Sequence, residues 1–161
     1  MDLKEFWLKQ NEAAYQSDLK VFSMILEEHI HWRPAEGMLT LGQLVRHVGM
    51  SEEGVRQVAL LGDWSYYEKR VPLGLSGILG EITSIQQELR YLERVHQDTL
   101  RKVAEFPIQH WDEERVNDAF HIRRRVSVML YGINEHHAHH RAQAGTYLHI
   151  LTGKRASHYA L

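Results

Sequence analysis

Long stretches of helical periodicity dominate this chain of 161 residues, and only three prolines interrupt it. Between Pro34, Pro72 and Pro107 the apolar side chains recur every three or four residues, which is typical of amphipathic helices. Four such segments are predicted as helices, at about 2–29, 40–61, 81–106 and 126–152. Long helices bury their apolar faces against one another. The pattern therefore predicts an all-α, up-down four-helix bundle that occupies residues 1–161 as a single domain.

Local signals mark the ends of these helices. Asp2 is a plausible N-cap of the first helix. Thr40 and Gln43 have the spacing of a capping box at the start of the second helix. Pro107 stops the third helix, and Gly153 suits the position after the fourth. Residues 64–80 are predicted as a long connection and residues 108–124 as polar and irregular, since strands are weakly supported throughout the chain.

Composition and charge exclude several classes of protein. Hydrophobic residues make up 43% and charged residues 25%, as in ordinary globular domains. The formal net charge of −2 argues against a strongly basic nucleic-acid-binding domain. The sequence contains no cysteine, which excludes disulfides, cysteine-based zinc sites and a protein thiol nucleophile. No signal-peptide layout and no membrane-length apolar run are present, so a soluble cytoplasmic protein without membrane or nucleic-acid partners is expected.

Histidine is the residue type that stands out. The chain carries twelve histidines, and several cluster near the middle of the fourth predicted helix. On a helical wheel His140 lies about 40° from His136, whereas His137 and His139 fall on the flanks. The same stripe carries Met129, Ile133, Tyr147 and Ile150. Two histidines at i and i+4 can bind one metal ion, or they can be interior polar residues held by hydrogen bonds.

The second predicted helix contributes another inward histidine. His47 lies within about 80° of Leu44, Ser51, Val55 and Val58 on the wheel. Two separate helices thus each direct histidine into one bundle core. Close buried imidazoles repel one another when protonated, and an unpaired one is costly to bury. A divalent cation removes both problems and leaves a coordination position open for water or substrate.

The two histidine segments resemble those of a known family. His136 to Gln143 resembles the HxxHHRGQ signature of the DinB/YfiT-like superfamily, with Ala142 in place of its glycine. Thr40 to His47 resembles that family's other ligand segment. The resemblance implies a four-helix bundle, often a homodimer, with His47, His136 and His140 as the metal ligands. Members are metal-dependent hydrolases and thiol S-transferases, including bacillithiol- and mycothiol-dependent ones, and differ from the DNA polymerases of similar name.

A metal-dependent thiol S-transferase or hydrolase is therefore the expected function. An open three-histidine site can acidify a bound water or a thiol. Because the chain lacks cysteine, the thiol would come from a small-molecule cosubstrate. Zinc is the first expectation for three imidazoles, with nickel, iron and manganese as alternatives. A second interpretation is a non-catalytic metal-stabilised bundle that serves dimerisation or partner binding. A third, nucleic-acid binding, is disfavoured by the charge balance and by the lack of a convincing helix-turn-helix.

Four further residues are candidates for catalysis or substrate contact. Glu135 is either a base beside the ligands or an exposed glutamate. Gln143 and Tyr147 follow the ligand stripe, where they either touch substrate, orient His140 or, for Gln143, bridge helices. Ser51 either lines the pocket or eases helix packing.

Some charged and aromatic residues also have two interpretations. The run from Arg123 to Arg125 either steers an anionic cosubstrate or forms a solvated face. A salt bridge within the bundle or a dimer is expected for Arg141, and a supporting or interface role for His139. Five aromatic residues in predicted loops either wall a substrate pocket or cap the bundle ends: Trp32, Trp64, Tyr66, Tyr67 and Trp111.

Overall fold

The computed structural model describes residues 2–156. Met1 and residues 157–161, which the single-domain prediction also covers, lie outside this range. The helices are α1 (Leu3–Phe22), α2 (Leu41–Leu61), α3 (Ser65–Arg70), α4 (Gly74–Leu79), α5 (Ile85–Glu105) and α6 (Val126–Thr152). The strands are β1 (Glu114–Asn117) and β2 (Ile122–Arg125). Throughout this range, no helix has both the length and the apolar character that crossing a membrane requires.

The four long helices α1, α2, α5 and α6 form a bundle, so the all-α prediction is confirmed. Their predicted starts follow from local chemistry. The Asp2 side chain accepts a hydrogen bond from the backbone N–H of Glu5 and caps α1. Thr40 and Gln43 exchange both hydrogen bonds of the capping box at the start of α2. Helix α6 ends before Gly153, whose φ of +72° is left-handed.

The first helix is shorter than predicted. Helix α1 ends at Phe22, and residues Glu27–His29 form a separate 3₁₀ turn. Ile25 and Ile30, which lie beyond the end of the helix, are buried in the same core cluster as Phe22.

Hydrogen bonds between the helices define their directions. Asn11 bonds Asn134 and Arg141 bonds Asp18, so α1 and α6 run parallel. Arg46 pairs with Glu88 near the starts of α2 and α5, and Arg56 pairs with Asp98 further along both, so these helices also run parallel. Lys4 donates to the carbonyl of Ala104, which makes α5 antiparallel to α1. The order is therefore up, down, down, up, so the four long helices do not alternate strictly in direction as the up-down prediction implied.

The connection between α2 and α5 must return along the length of the bundle. Residues 64–80, predicted as a loop, instead contain α3 and α4 within this return path. Tyr66 of α3 is buried and its hydroxyl donates to the carbonyl of Met50 on α2. The glycine-rich segment is helical despite its low propensity, and Leu79 at its end is buried.

The expectation of an irregular segment at 108–124 was wrong. Strands β1 and β2 form an antiparallel hairpin in which Arg115 pairs with Arg124 and Val116 with Arg123. Four-residue strands are too short to show a clear alternation of polar and apolar residues. Tertiary contacts hold the hairpin instead, since the guanidinium of Arg115 donates to the carbonyl of Ala59 on α2.

Buried polar residues divide the bundle core into two apolar clusters. One cluster is centred on Phe22, Leu44 and Leu92, and the other on Trp7, Trp111 and Leu130. The two share no residue, and the helices contribute buried polar side chains between them. These side chains are Asn11, Asp18, Glu52, Arg56, His96, Thr99, His137 and His140. This polar layer is the level at which the histidine cluster lies.

Candidate metal centre

Three histidines from two antiparallel helices converge at the polar layer. His47 comes from α2, and His136 and His140 come from successive turns of α6. One ring nitrogen of each lies within 4.8 Å of the other two. Nε2 of His136 is 3.1 Å from Nε2 of His47. The structure thus brings together all three residues that the sequence proposed as ligands.

Burial keeps these three rings neutral. Burial, with the proximity of His140 and His47, lowers the pKa of His136 to about 3. Burial also lowers the pKa of His140 to about 4, although its hydrogen bond to Gln143 acts in the opposite direction. The pKa of His47 is lowered by burial and by His139. Neutral imidazoles with converging nitrogen lone pairs are the donor set that a divalent transition metal requires, so these residues fit such an ion.

A short hydrogen-bond chain orients His140. The Nδ1–H of His140 donates to Oε1 of Gln143 at 2.9 Å, which leaves Nε2 free to bind a cation. The amide of Gln143 in turn donates to the hydroxyl of Tyr147 at 2.9 Å. Trp32 packs edge-on against Tyr147, with 5.9 Å between ring centroids. Gln143, supported by Tyr147, therefore orients the ring of His140, which is one of the roles predicted for these two residues.

The helical wheel predicted that His137 lies on the flank of the histidine stripe, but the structure places it in the core. It is fully buried, with Nδ1 against Asp18 of α1 and Nε2 3.0 Å from Glu52 of α2. Helix α6 packs against both α1 and α2, so its buried face is wider than the single stripe used for the prediction. Ile150, which the predicted stripe places in the core, is instead exposed, and Tyr147 and Leu148 fill the core at that end of the helix.

His137 carries a charge that the ligand histidines lack. Burial disfavours its charged form, but hydrogen bonds with Asp18 and Glu52 outweigh this and raise its pKa to about 9. Arg141 adds an ion pair with Asp18 at 2.8 Å, which is the intramolecular salt bridge expected for this residue. Asp18 and Glu52 are not among the residues predicted for the site, although both are acidic residues at inward positions of predicted helices, a pattern that could have revealed them.

A cavity of about 460 Å³ opens beside His136. Ser51 lines it, as do Trp64 and Tyr67, so these residues take the pocket role rather than the packing or capping one. Arg124 lies at the same cavity. The remaining aromatic candidates lie elsewhere. Tyr66 and Trp111 are buried, whereas Trp32 is partly buried beside Tyr147.

The cavity also contains residues that the sequence did not single out for a site. Phe120 belongs to the turn of the hairpin, and Gly132 lies one helical turn before His136. No sequence signal identifies Phe120, because its position depends on the hairpin that the periodicity missed.

The other candidates lie outside the cluster. Glu135 is exposed on α6. His139 is also exposed and packs edge-on against His140, with 4.7 Å between ring centroids. Arg123 pairs with Glu114 and Arg125 lies 3.8 Å from Asp112. Within residues 2–156, no carboxylate joins the three histidines closely enough to serve as a fourth ligand.

Comparison with known proteins places this geometry in a family. A family model described as the DinB superfamily matches residues 10–144. The crystal structure of a DinB-like protein from Bacillus subtilis is similar in fold, with a TM-score of 0.74 at 16% sequence identity. The matched region covers 94% of this chain and 94% of that one. No curated protein matches the chain.

Proposed function

The chain belongs to the DinB superfamily, and we propose that it is a metal-dependent enzyme, a thiol S-transferase or a hydrolase. Its site would be a divalent transition metal held by His47, His136 and His140. The convergence of these three neutral histidines, without a fourth protein ligand in the described chain, is the observation that carries the proposal. Structural zinc sites usually have four protein ligands, whereas catalytic sites keep a position open.

The residues around the histidines support a reaction at this position. A divalent ion bound there supplies Lewis acidity, which acidifies a water molecule or a thiol. Gln143 holds the ring of His140 in one tautomer, so that its Nε2 is available. The cavity beside His136 offers a largely apolar surface on which a substrate can displace water.

Two chemistries are compatible with this site. In a hydrolase, the oxygen of an acidified water would bond to the substrate, whose bond to the leaving group would break, and the leaving group would depart with the proton of the water. In an S-transferase, the sulfur of a thiol would form the new bond and the leaving group would likewise depart with the thiol proton; because this chain has no cysteine, the thiol belongs to a small-molecule cosubstrate. Three imidazole ligands favour zinc, and nickel, iron and manganese are the alternatives.

Metal content of the untagged protein is the first test. Plasma mass spectrometry should find about one transition-metal ion per chain, which the His47→Ala and His140→Ala variants lose. His149→Ala is the matched control, because His149 is an exposed histidine on the same helix. His137→Ala would be unsuitable as a control, because His137 is buried in ion pairs with Asp18 and Glu52. Equal metal content in all variants, or none after supply of zinc, nickel and manganese, would contradict the proposal.

Catalysis is then separated from a purely structural ion. Thiol-transfer and hydrolysis substrates are screened with the metal-loaded protein and with His140→Ala. Turnover that needs the metal supports the enzyme. Bound metal that raises the melting temperature, without turnover of any substrate, would favour the non-catalytic bundle instead.

Homodimerisation remains part of the proposal, and sedimentation of the purified protein tests it.

A further inference from the structure

Gly132 is a helix-interior glycine that the packing of the chain does not explain. Other bundle glycines permit close contacts, since a Cβ on Gly42 or Gly54 would lie 2.7 Å from a neighbouring side chain. A Cβ on Gly132 would meet no atom within 4 Å. Glycine in a helix interior is destabilising relative to alanine. The absent side chain therefore leaves space that no other part of the described chain uses.

That space belongs to the cavity beside the metal centre. Gly132 and His136 lie one helical turn apart on α6 and both line it. Its remaining walls are mostly apolar and come from several elements: Trp64, Tyr67, Val71, Phe120, Ile122 and Met129. Trp64 lies 6.4 Å from Tyr67 and 6.2 Å from Phe120, measured between ring centroids. A cavity of about 460 Å³ is large enough for a ring-sized organic molecule.

One uncompensated positive charge lies at this apolar cavity. Arg123 pairs with Glu114 and Arg125 approaches Asp112, but Arg124 has no carboxylate within 4.0 Å among residues 2–156. Arg115, its partner across the hairpin, is also positively charged. Arg124 is exposed and lines the cavity, so it can form a charge-assisted hydrogen bond with a ligand.

We propose that this cavity binds the substrate of the metal centre and selects an organic anion with an apolar, ring-sized body. The body occupies the space beside Gly132, the anionic group pairs with Arg124, and His136 brings the metal centre against the same molecule. Only the identification of this ligand as a substrate rests on the proposed function. The binding site itself is defined by Gly132, Arg124 and the aromatic walls.

Two fluorescent probes with the same aromatic skeleton test the site in the 161-residue protein, both with added metal and without it. Anilinonaphthalene sulfonate carries an anionic group, and N-phenyl-1-naphthylamine is its neutral counterpart. Gly132→Leu fills the cavity and should weaken both probes at least about tenfold. Arg124→Gln should weaken only the anionic probe, by about tenfold. Arg123→Gln is the matched control, because Arg123 is already paired with Glu114 and does not line the cavity.

Each result decides the proposal. Unchanged affinity of both probes in Gly132→Leu would overturn the cavity assignment, and equal weakening of both probes by Arg124→Gln would overturn the selection of anions. Circular dichroism checks that Gly132→Leu is folded, and Gly132→Ala provides a smaller filling of the same space. All these variants keep the three histidines, so they should retain metal. If the His47→Ala test contradicts the metal site, the probe affinities still decide whether the cavity binds an organic anion.

Discussion

Two adjacent histidines of α6 have opposite electrostatic roles. His136 faces the other imidazoles of the candidate metal centre, and burial lowers its pKa to about 3. His137 lies between Asp18 and Glu52, and although burial opposes its charge, these carboxylates raise its pKa to about 9. The difference arises because successive helical residues point about 100° apart, and so face different neighbouring helices.

Gln143→Ala should weaken metal binding. Without its side-chain oxygen, the Nδ1–H of His140 loses its acceptor and the ring is no longer held in one orientation. Loss of such a partner typically reduces metal affinity by about 10- to 100-fold. Competition titration with a zinc chelator measures this. Thr146→Ala, on the exposed side of the same helix, is the control, and equal affinities of the two variants would refute the role of Gln143.

His137→Ala should strongly destabilise the fold. Removal of this ring leaves the buried carboxylates of Asp18 and Glu52 without their shared partner. Breaking a buried ion pair in this way costs about 3–5 kcal/mol of unfolding free energy. Urea denaturation followed by circular dichroism measures the loss. The exposed His139→Ala should change stability by no more than about 0.5 kcal/mol, and a similar small change in His137→Ala would show that the buried pairs contribute little.

At the scale of elements, the hairpin of β1 and β2 provides much of the candidate substrate cavity. It contributes Ile122 and Arg124 from β2 and Phe120 from its turn. The long helices supply the three histidines and further parts of the cavity wall, including Ser51, Met129 and Gly132. Helices are encoded by periodicity, whereas this hairpin depends on contacts such as that of Arg115 with Ala59.

Two glycine substitutions should have opposite effects on helix stability. Gly132→Ala should raise the unfolding free energy by about 0.5–1 kcal/mol, since alanine favours the helix and its methyl group enters open space. Gly54→Ala should lower it by about 1–3 kcal/mol, because the new Cβ would lie 2.7 Å from the ring of Tyr66. Urea midpoints of both variants measure this. Destabilisation by Gly132→Ala would show that the space is not open.

For the whole molecule, the polar layer links stability to pH. The lowered pKa values of His136 and His140, about 3 and 4, mean that the unfolded chain binds their protons more readily. Stability of the metal-free protein therefore falls as the pH decreases below about 6.5. His137 acts oppositely, because its raised pKa of about 9 stabilises the fold fully below about 6.5. That contribution is lost as the pH rises towards 9.

The metal-free protein should consequently be most stable between about pH 6 and pH 7. Glu52 reinforces the decline at low pH. Burial raises the pKa of its carboxyl group, but the hydrogen bond and charge of His137, together with Thr99 and His96, produce a net lowering of that pKa. Urea midpoints at about pH 4.5, 6.5 and 9, measured in the presence of a chelator, test the prediction. A midpoint that increases steadily up to pH 9 would contradict the charged state of His137.

The sequence by itself determined the four long helices, several of their capped ends and the three inward histidines. These features depend on local spacing, because helical geometry converts positions three or four residues apart into one face. Tertiary structure alone decided the parallel pairing of α1 with α6, the buried environment of His137, and the hairpin that places Arg124 and Phe120 at the cavity. Such features depend on which neighbouring element each face meets, and residues far apart in the chain supply those neighbours.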